Sequence, residues 1–379
     1  MPKAAYFHIP FCVNICHYCD FNKVFLKGQP VMEYLACMDT EMERTIQKFP
    51  YEKMDTLFIG GGTPTALSAE QLDIFLAAVA RHFPVSDVKE YTVEANPEQT
   101  TKEKLEVLKK HGVNRLSIGA QAFQPSLLKE LGRTHHAGHV EQTVSEAKAI
   151  GIDNLSIDLM FGLPGQTMDM FKETIAAALA LNVPHISSYS LQVEPKTIFY
   201  IRSQKGDLKL PPQELEAEMF EYLMTELERN GYHQYEISNF AKPGYESLHN
   251  LQYWDNNEYY GIGAGAHSYM NGVRRVNAGP LKKYMNLVQE NGFPYTEENK
   301  LTEAERMEEE LFMGLRKRKG ISSRTFEARY GKPLCDVFGR QIEMLIDRGL
   351  LEKDGDWIRL THSGILLGNE VFSEFISAV

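Results

Sequence analysis

No stretch of this chain stays apolar for the ~18 residues a helix needs to cross a bilayer, and the mean hydropathy is −0.33. Basic charge is short too: 40 Lys and Arg stand against 51 Asp and Glu, a formal net charge of −11. A general nucleic-acid binder neutralises phosphates with a basic face, so no nucleic-acid partner is expected. The opening residues Met1–Cys12 lack the apolar core and small-residue cleavage site of a secretory signal. A cytoplasmic setting is expected, peripheral to a membrane only where a partner lies in one. Cysteine is scarce and odd in number, 5 in 379 residues, which argues against a disulfide framework. With 43% hydrophobic and 24% charged residues the composition is that of a globular protein, not a disordered or fibrous one. At roughly 100–200 residues per domain the length predicts two or three domains.

What is present is organised. Short β-branched or apolar runs at Ala4–Ile9, Thr56–Ile59, Glu90–Ala95, Arg115–Ile118, Asn154–Met160 and His185–Leu191 predict strands. Stretches with apolar residues at three- and four-residue steps separate them, such as Leu72, Phe75, Leu76 and Val79. Six strand–helix units in series imply a parallel sheet with right-handed crossovers. Six are too few for a closed eightfold barrel, so the expected α/β fold is an open, partial (β/α)6 barrel over residues 1–231, with its site at the C-terminal strand ends. Residues 232–300 show no clean helical period and read as a connecting segment. Residues 301–379 read as a small α+β, winged-helix-like domain: a helix opened by Thr302 and Glu305 and running to about Arg318, a second at Arg340–Arg348, a hairpin about Asp354-Gly355-Asp356, and a last helix at Ile365–Ile376. The run Arg316–Lys319 reads as cations at a helix C-terminus.

Three of the five cysteines lie within eight residues, Cys12, Cys16 and Cys19, directly after the first strand. Three thiolates on one tight loop suit three irons of a [4Fe–4S] cube and leave the fourth iron open, as a catalytic metal site requires. The alternative is a zinc knuckle completed by His17 or His8. It lacks a second ligand pair at zinc-finger distance. Cys37 and Cys335 read as space-filling. After the second strand comes Gly60-Gly61-Gly62-Thr63-Pro64, where glycine lets backbone approach a ligand closely. Glu94, Gln121, Arg133 and Asp158 sit at or just beyond the ends of successive strands and would together line the barrel mouth.

The Cys-x3-Cys-x2-Cys loop in a six-unit βα array resembles the radical S-adenosylmethionine (SAM) superfamily. That likeness implies a cluster whose open iron is chelated by SAM, an electron donor such as flavodoxin or ferredoxin, and cleavage of SAM to a deoxyadenosyl radical. The runs Tyr6–Cys12, Arg115–Gln121, Leu131–His135 and Asp158–Gly165 narrow the resemblance to the anaerobic coproporphyrinogen III dehydrogenase group. It implies that Tyr6, Tyr18, Gly61, Gly62, Thr63, Glu94, Gln121, Arg133 and Asp158 contact SAM.

Two branches share this scaffold. The dehydrogenase branch carries a fourth cysteine where this chain has Phe21, and a longer N-terminal arm. The HemW-like haem chaperone branch carries Cys-Asp-Phe and His-Asn-x-x-Tyr-Trp, matched here by Cys19-Asp20-Phe21 and His249-Asn250-Leu251-Gln252-Tyr253-Trp254. A neutral imidazole is an ordinary axial haem ligand, and aromatic rings offer a flat face to a porphyrin. The resemblance thus implies haem held at His249, Asn250, Tyr253 and Trp254, with His249 on the iron, and delivery to an acceptor such as a respiratory cytochrome. Against it stands the reading of His249 as a hydrogen-bonded core histidine. The enzymatic rival is oxidative decarboxylation of the propionates of coproporphyrinogen III. Gly261–His267 resembles a dinucleotide loop but lacks the βαβ frame. His135-His136 could meet a metal or porphyrin carboxylates; against that, His135 belongs to the group's Leu-Gly-Arg-x-His run and His136 reads as a solvated loop residue. The first expectation is elemental: protein purified without oxygen carries iron and acid-labile sulfide, whereas zinc without sulfide would return the loop to a zinc knuckle.

Overall fold

The structure, a computed structural model, describes residues 1–379. At its centre lie β1 (Ala4–Ile9), β2 (Thr56–Gly61), β3 (Glu90–Ala95), β4 (Arg115–Gln121), β5 (Asn154–Phe161) and β6 (His185–Ser190), all parallel. Helices α1 (Val31–Lys48), α2 (Ala69–His82), α3 (Lys102–Lys110), α4 (Ala137–Ala149) and α5 (Met168–Ala180) make the crossovers, and α6 (Gln213–Arg229) follows β6. All six strands lie where the apolar runs placed them, because strands buried on both faces read as nearly continuous apolar sequence. Helix α2 buries Leu72, Phe75, Leu76 and Val79, and a reciprocal Ser68–Gln71 capping box starts it. The α/β partial barrel is therefore the observed fold.

Residues 232–300 do more than connect. They add β7 (His233–Glu236), β8 (Asn239–Ala241), helix α7 (Leu248–Trp254), then β9 (Tyr259–Ile262), β10 (His267–Met270), β11 (Val273–Asn277), α8 (Leu281–Asn291) and β12 (Tyr295–Lys300). The result is one twelve-stranded sheet in the order β12-β11-β10-β9-β1-β2-β3-β4-β5-β6-β8-β7. Strand β9 pairs parallel with β1, so the parallel core holds seven strands, not six. These added strands are mostly three to six residues long, too short for a period-2 pattern to stand out. The glycine run that resembled a dinucleotide loop ends β9 and turns into antiparallel β10. A Cβ on Gly261 would lie 1.8 Å from the His267 carbonyl oxygen, so glycine here serves backbone packing.

Glu41 of α1 ties this returning segment to the barrel. Its carboxylate, fully buried, accepts from the Gly263 N–H at 2.8 Å, Asn277 Nδ2 at 2.7 Å and Tyr284 Oη at 2.5 Å. Burial pushes its pKa up to about 7, although the three donors pull the other way.

The C-terminal domain has its own core of 17 buried residues, separate from the 55-residue core of the barrel. Helix α9 (Glu303–Gly314) leads into β13 (Ile321–Ser322), α10 (Ser323–Tyr330), α11 (Leu334–Asp347) and the hairpin β14 (Leu351–Asp354)–β15 (Trp357–Leu360). The order matches a winged helix with details corrected. Helix α9 stops at Gly314, α10 was not expected, α11 starts earlier, and two short helices, His362–Leu366 and Gly368–Ser373, replace one long one. The basic run past α9 is not a helix-end charge cluster. Arg316 lies 4.5 Å over the Trp254 ring and Lys317 pairs with Asp255, so these cations clamp the domain onto α7.

Glu41 gives a stability test. Its folded pKa of about 7 exceeds the ordinary value of 4.5, so the cost of burying its charge is absent below pH 4.5 and grows to its full value above pH 7. Unfolding by urea is expected to show stability falling by on the order of 3 kcal/mol across that window. Glu41→Gln should flatten the fall, and an unchanged pH profile in the variant would assign it to other groups.

Candidate functional site

A cavity of about 440 Å³ opens at the C-terminal ends of the parallel strands. All three loop cysteines line it, as do Tyr18, Gly61, Gly62, Thr63, Glu94, Gln121, Arg133 and Asp158. The polar residues singled out at separate strand ends are thus brought to one wall. Tyr6 is the exception. It points aside, its hydroxyl 2.9 Å from His8 Nδ1 and its ring stacked on Phe58.

The cysteine loop is held from three sides. The His17 N–H donates to the Leu131 carbonyl at 3.0 Å, and the Cys19 N–H closes a turn onto the Cys16 carbonyl at 3.3 Å. His8 Nε2 meets the Asn22 carbonyl at 2.7 Å, and the Asn22 amide donates to the carbonyls of Ala264 and Gly279. Both nitrogens of His8 are therefore engaged, and His17 Nδ1 sits 2.8 Å from the Glu130 carbonyl. His8 thus has no nitrogen free for zinc, and the His17 ring packs against Gly132 and Phe199. No three His, Cys, Asp or Glu side chains are grouped closely enough to hold one metal ion. The thiols are instead arrayed around a shared space. Burial raises the pKa of Cys12, offset in part by the Thr63 hydroxyl, and pushes Cys19 up to about 11. A metal would reverse that penalty, because a coordinating thiol is deprotonated outright. The donor set and the shared cavity fit a [4Fe–4S] cluster.

The glycines are spaced by contact. A Cβ on Gly60 would meet the Glu94 carboxyl carbon at 2.9 Å, one on Gly61 the His8 ring at 2.6 Å, and one on Gly62 the Cys12 sulfur at 2.9 Å. Gly61 also has φ +117°, a conformation L residues rarely adopt. Its N–H donates to Glu94 Oε2 at 3.0 Å. Burial, then the nearby Asp158 carboxylate, push Glu94 up to about 8, so near pH 7 it is mostly protonated and can donate as well as accept. Asp158 is also raised by burial, against hydrogen bonds that favour its charged form. Among them, Ser117 Oγ donates at 2.9 Å and Ser156 Oγ at 3.1 Å.

Arg133 reaches the cysteine loop: Nη1 lies 3.5 Å from Cys16 Sγ, Nη2 donates to the Gly119 carbonyl, and Nε is buried without a partner. Burial lowers its pKa, but the phenol of Tyr18 and the Cys16 thiol outweigh that and raise it. Gln121 ends β4 at φ +65° beside a register shift at Gly119–Gln121, which turns the chain toward the cavity. Strain of this kind collects at ligand sites.

The His-Asn-x-x-Tyr-Trp segment forms α7, and the structure divides it. Asn250 lines the cavity; His249, Tyr253 and Trp254 do not. His249 is 1% exposed, with Nδ1 2.9 Å from the Thr56 hydroxyl and Nε2 2.9 Å from the Tyr253 hydroxyl. Burial, then Arg115, lower its pKa to about 3, so the ring is neutral. In this conformation it offers no free nitrogen to iron. Tyr253 packs edge-on against Tyr259, and Trp254 faces Arg316 of the C-terminal domain. His135 is likewise buried, Nε2 3.0 Å from the Ala120 carbonyl, while His136 stacks on His139 at 3.7 Å.

Sequence reasoning missed Arg115, Ser117, Ser187 and Tyr189, which also line the cavity. The available signal was an arginine opening an otherwise apolar strand, Arg115-Leu116-Ser117-Ile118.

The Radical SAM superfamily family model matches residues 6–178, and the HemN C-terminal domain model matches residues 301–367. The chain is 52% identical to the heme chaperone HemW of Bacillus subtilis (strain 168), covering 99% of each chain. It is 44% identical to HemW of Lactococcus lactis, over 99% of this chain and 97% of that one. It is 33% identical to HemW of Escherichia coli, over 99% and 98%. Among solved structures, coproporphyrinogen III oxidase (HemN) from Escherichia coli, a radical SAM enzyme, superposes with a TM-score of 0.87 over 100% of this chain and 91% of that one, at 24% identity. That likeness is one of fold.

The glycine contacts yield a test. Gly62→Ala places a methyl 2.8 Å from the Pro10 carbonyl carbon and 2.9 Å from Cys12 Sγ, so the cysteine loop must shift. Iron and sulfide bound per chain after reconstitution are expected to fall well below wild type. Gly339→Ala, whose added carbon meets only Cys335 Cβ at 3.9 Å, should load normally. Equal loading in both variants would show that the loop is not positioned by this contact.

Proposed function

The chain belongs to the HemW heme chaperone family of the radical SAM superfamily, and from that premise we propose that it binds a [4Fe–4S] cluster, SAM and haem, and passes the haem to an acceptor haem protein. The observation that carries this reading is the single cavity where three thiols face Arg133, Glu94 and Asp158, in a chain whose likeness to heme chaperones runs end to end.

Cys12, Cys16 and Cys19 would hold the cluster. When bound, it supplies one-electron reduction and an open coordination position. The chain's own residues supply binding and orientation. Arg133 presents a fork suited to a carboxylate, with Gly119 and the cysteine loop fixing its direction. Glu94 and Asp158 offer oxygens to ribose hydroxyls, and Gly61 and Gly62 let the strand end lie directly against His8 and the start of the cysteine loop. Phe21, 63% exposed on the cavity wall, presents an apolar ring where a porphyrin face can rest. The same residue stands in the place of a fourth cysteine, which supports the chaperone over the dehydrogenase. The acceptor is read as a respiratory cytochrome, and the electron source as a flavodoxin or ferredoxin.

His249 enters with two separable roles. As an axial ligand it would have to release Tyr253 and leave its buried position. As it stands, it fastens α7 to β2. Anaerobic haem titration of cluster-reconstituted protein, followed by Soret absorbance, is expected to saturate near one haem per chain. If the ring is a fastener, His249→Ala loses about 2–4 kcal/mol of stability and keeps the Soret shift of its folded fraction. If the ring is the iron ligand, the shift disappears while the fold persists. No saturable shift in wild type, with turnover of coproporphyrinogen III, would replace the chaperone reading with the dehydrogenase.

A further inference from the structure

The cavity holds a second arginine that the SAM residues do not account for. Arg115 opens β4 and is 2% exposed, yet it lines the cavity. Its Nε has no hydrogen-bond partner, and the Asp158 carboxylate, on the same cavity, feels its charge without forming an ion pair with it. The acidic groups around it are committed elsewhere. Glu90 accepts from the N–H groups of Leu248 and His249 at 2.8 and 3.0 Å. Asp158 accepts from Ser117 and Ser156, and Glu236 from Asn239 and the Ser238 N–H. His185 and His249, which feel the Arg115 charge, are held neutral by burial first and by that charge second. A buried guanidinium with an unmet donor is costly for a fold to keep. A ligand that brings a carboxylate within reach of the free donor would offset that cost.

Asn250 supplies the second half. It follows His249, lines the same cavity, and its side-chain amide makes no hydrogen bond, its backbone N–H alone being engaged with Ser247. We propose that Arg115 and Asn250 form a carboxylate site at the strand-start end of the cavity, opposite Arg133 and the cysteines, and that its occupant is a propionate of the bound tetrapyrrole. This rests on the haem reading above. Two molecules in that reading carry carboxylates: SAM has one, for which Arg133 stands beside the cysteine loop, and haem has two propionates with no cation yet assigned. A guanidinium binds such a group through two parallel N–H donors, with an amide completing its coordination.

The test compares haem with haem dimethyl ester, whose propionates are blocked, on anaerobic cluster-reconstituted wild type, Arg115→Met and Arg115→Lys. Wild type is expected to bind haem roughly ten- to a hundredfold more tightly than the ester. Arg115→Met should bind both with the affinity of the ester, Arg115→Lys should keep part of the preference, and SAM binding by equilibrium dialysis should be unchanged in both. Ligand-free Arg115→Met should keep the circular dichroism spectrum of wild type, so that its ligand preference is read on folded protein. Retained haem preference in Arg115→Met would overturn the site. Loss of SAM binding with the haem preference intact would hand Arg115 to the SAM carboxylate and overturn the propionate. Wild type that binds neither haem nor ester would instead fail the haem reading, and the propionate with it.

Discussion

The absence of side chains at Gly60, Gly61 and Gly62 is the constraint on which the rest of the site depends. Three neighbours stand where those side chains would be: the Glu94 carboxyl, the His8 ring and the Cys12 sulfur. Each is the first link of a different connection. Glu94 joins β2 to β3 through the Gly61 N–H. His8 reaches the Asn22 carbonyl and so closes the far end of the cysteine loop onto β1. Cys12 begins that loop. A methyl group at any of the three positions would push on backbone or on buried, hydrogen-bonded groups with little room to give.

The site is also an accumulation of electrostatic debt. Glu94, Asp158, Arg133 and Arg115 face one cavity, and burial disfavours the charged form of each carboxylate there. Part of that is balanced within the protein, by serine hydroxyls and the Arg115 charge around Asp158 and by one backbone N–H at Glu94. Proteins retain such uncompensated groups where ligands complete them. The two arginines stand toward opposite ends of the space, one at the cysteines and one where β4 begins, which suits a cavity serving two anionic groups.

Helix α7 links this cavity to the C-terminal domain. Glu90 holds its first N–H groups, His249 fastens it to Thr56, Asn250 reaches the cavity, and Trp254 and Asp255 receive Arg316 and Lys317. One short helix thus touches β2, β3, the cavity and the second core. A ligand that displaced it would be felt in the C-terminal domain without any contact there.

The sequence by itself determined the elements whose signal is local and long. Six strands buried on both faces read as unbroken apolar runs, amphipathic helices read as three- and four-residue steps, and three cysteines in one loop could be recognised without knowing the fold. The barrel, the cysteine loop and the strand-end polar residues were legible for that reason. Tertiary structure alone decided the rest. Strand β9 is four residues long and earns its place only by pairing with β1, far away in the chain. Whether His249 was a ligand or a fastener depended on Thr56 and Tyr253 meeting its two nitrogens. Arg115 looked like the first residue of a strand, and only the assembled barrel left it buried on a cavity with its Nε unpartnered. Partners distant in sequence set burial and hydrogen bonding, and those set what a side chain can do.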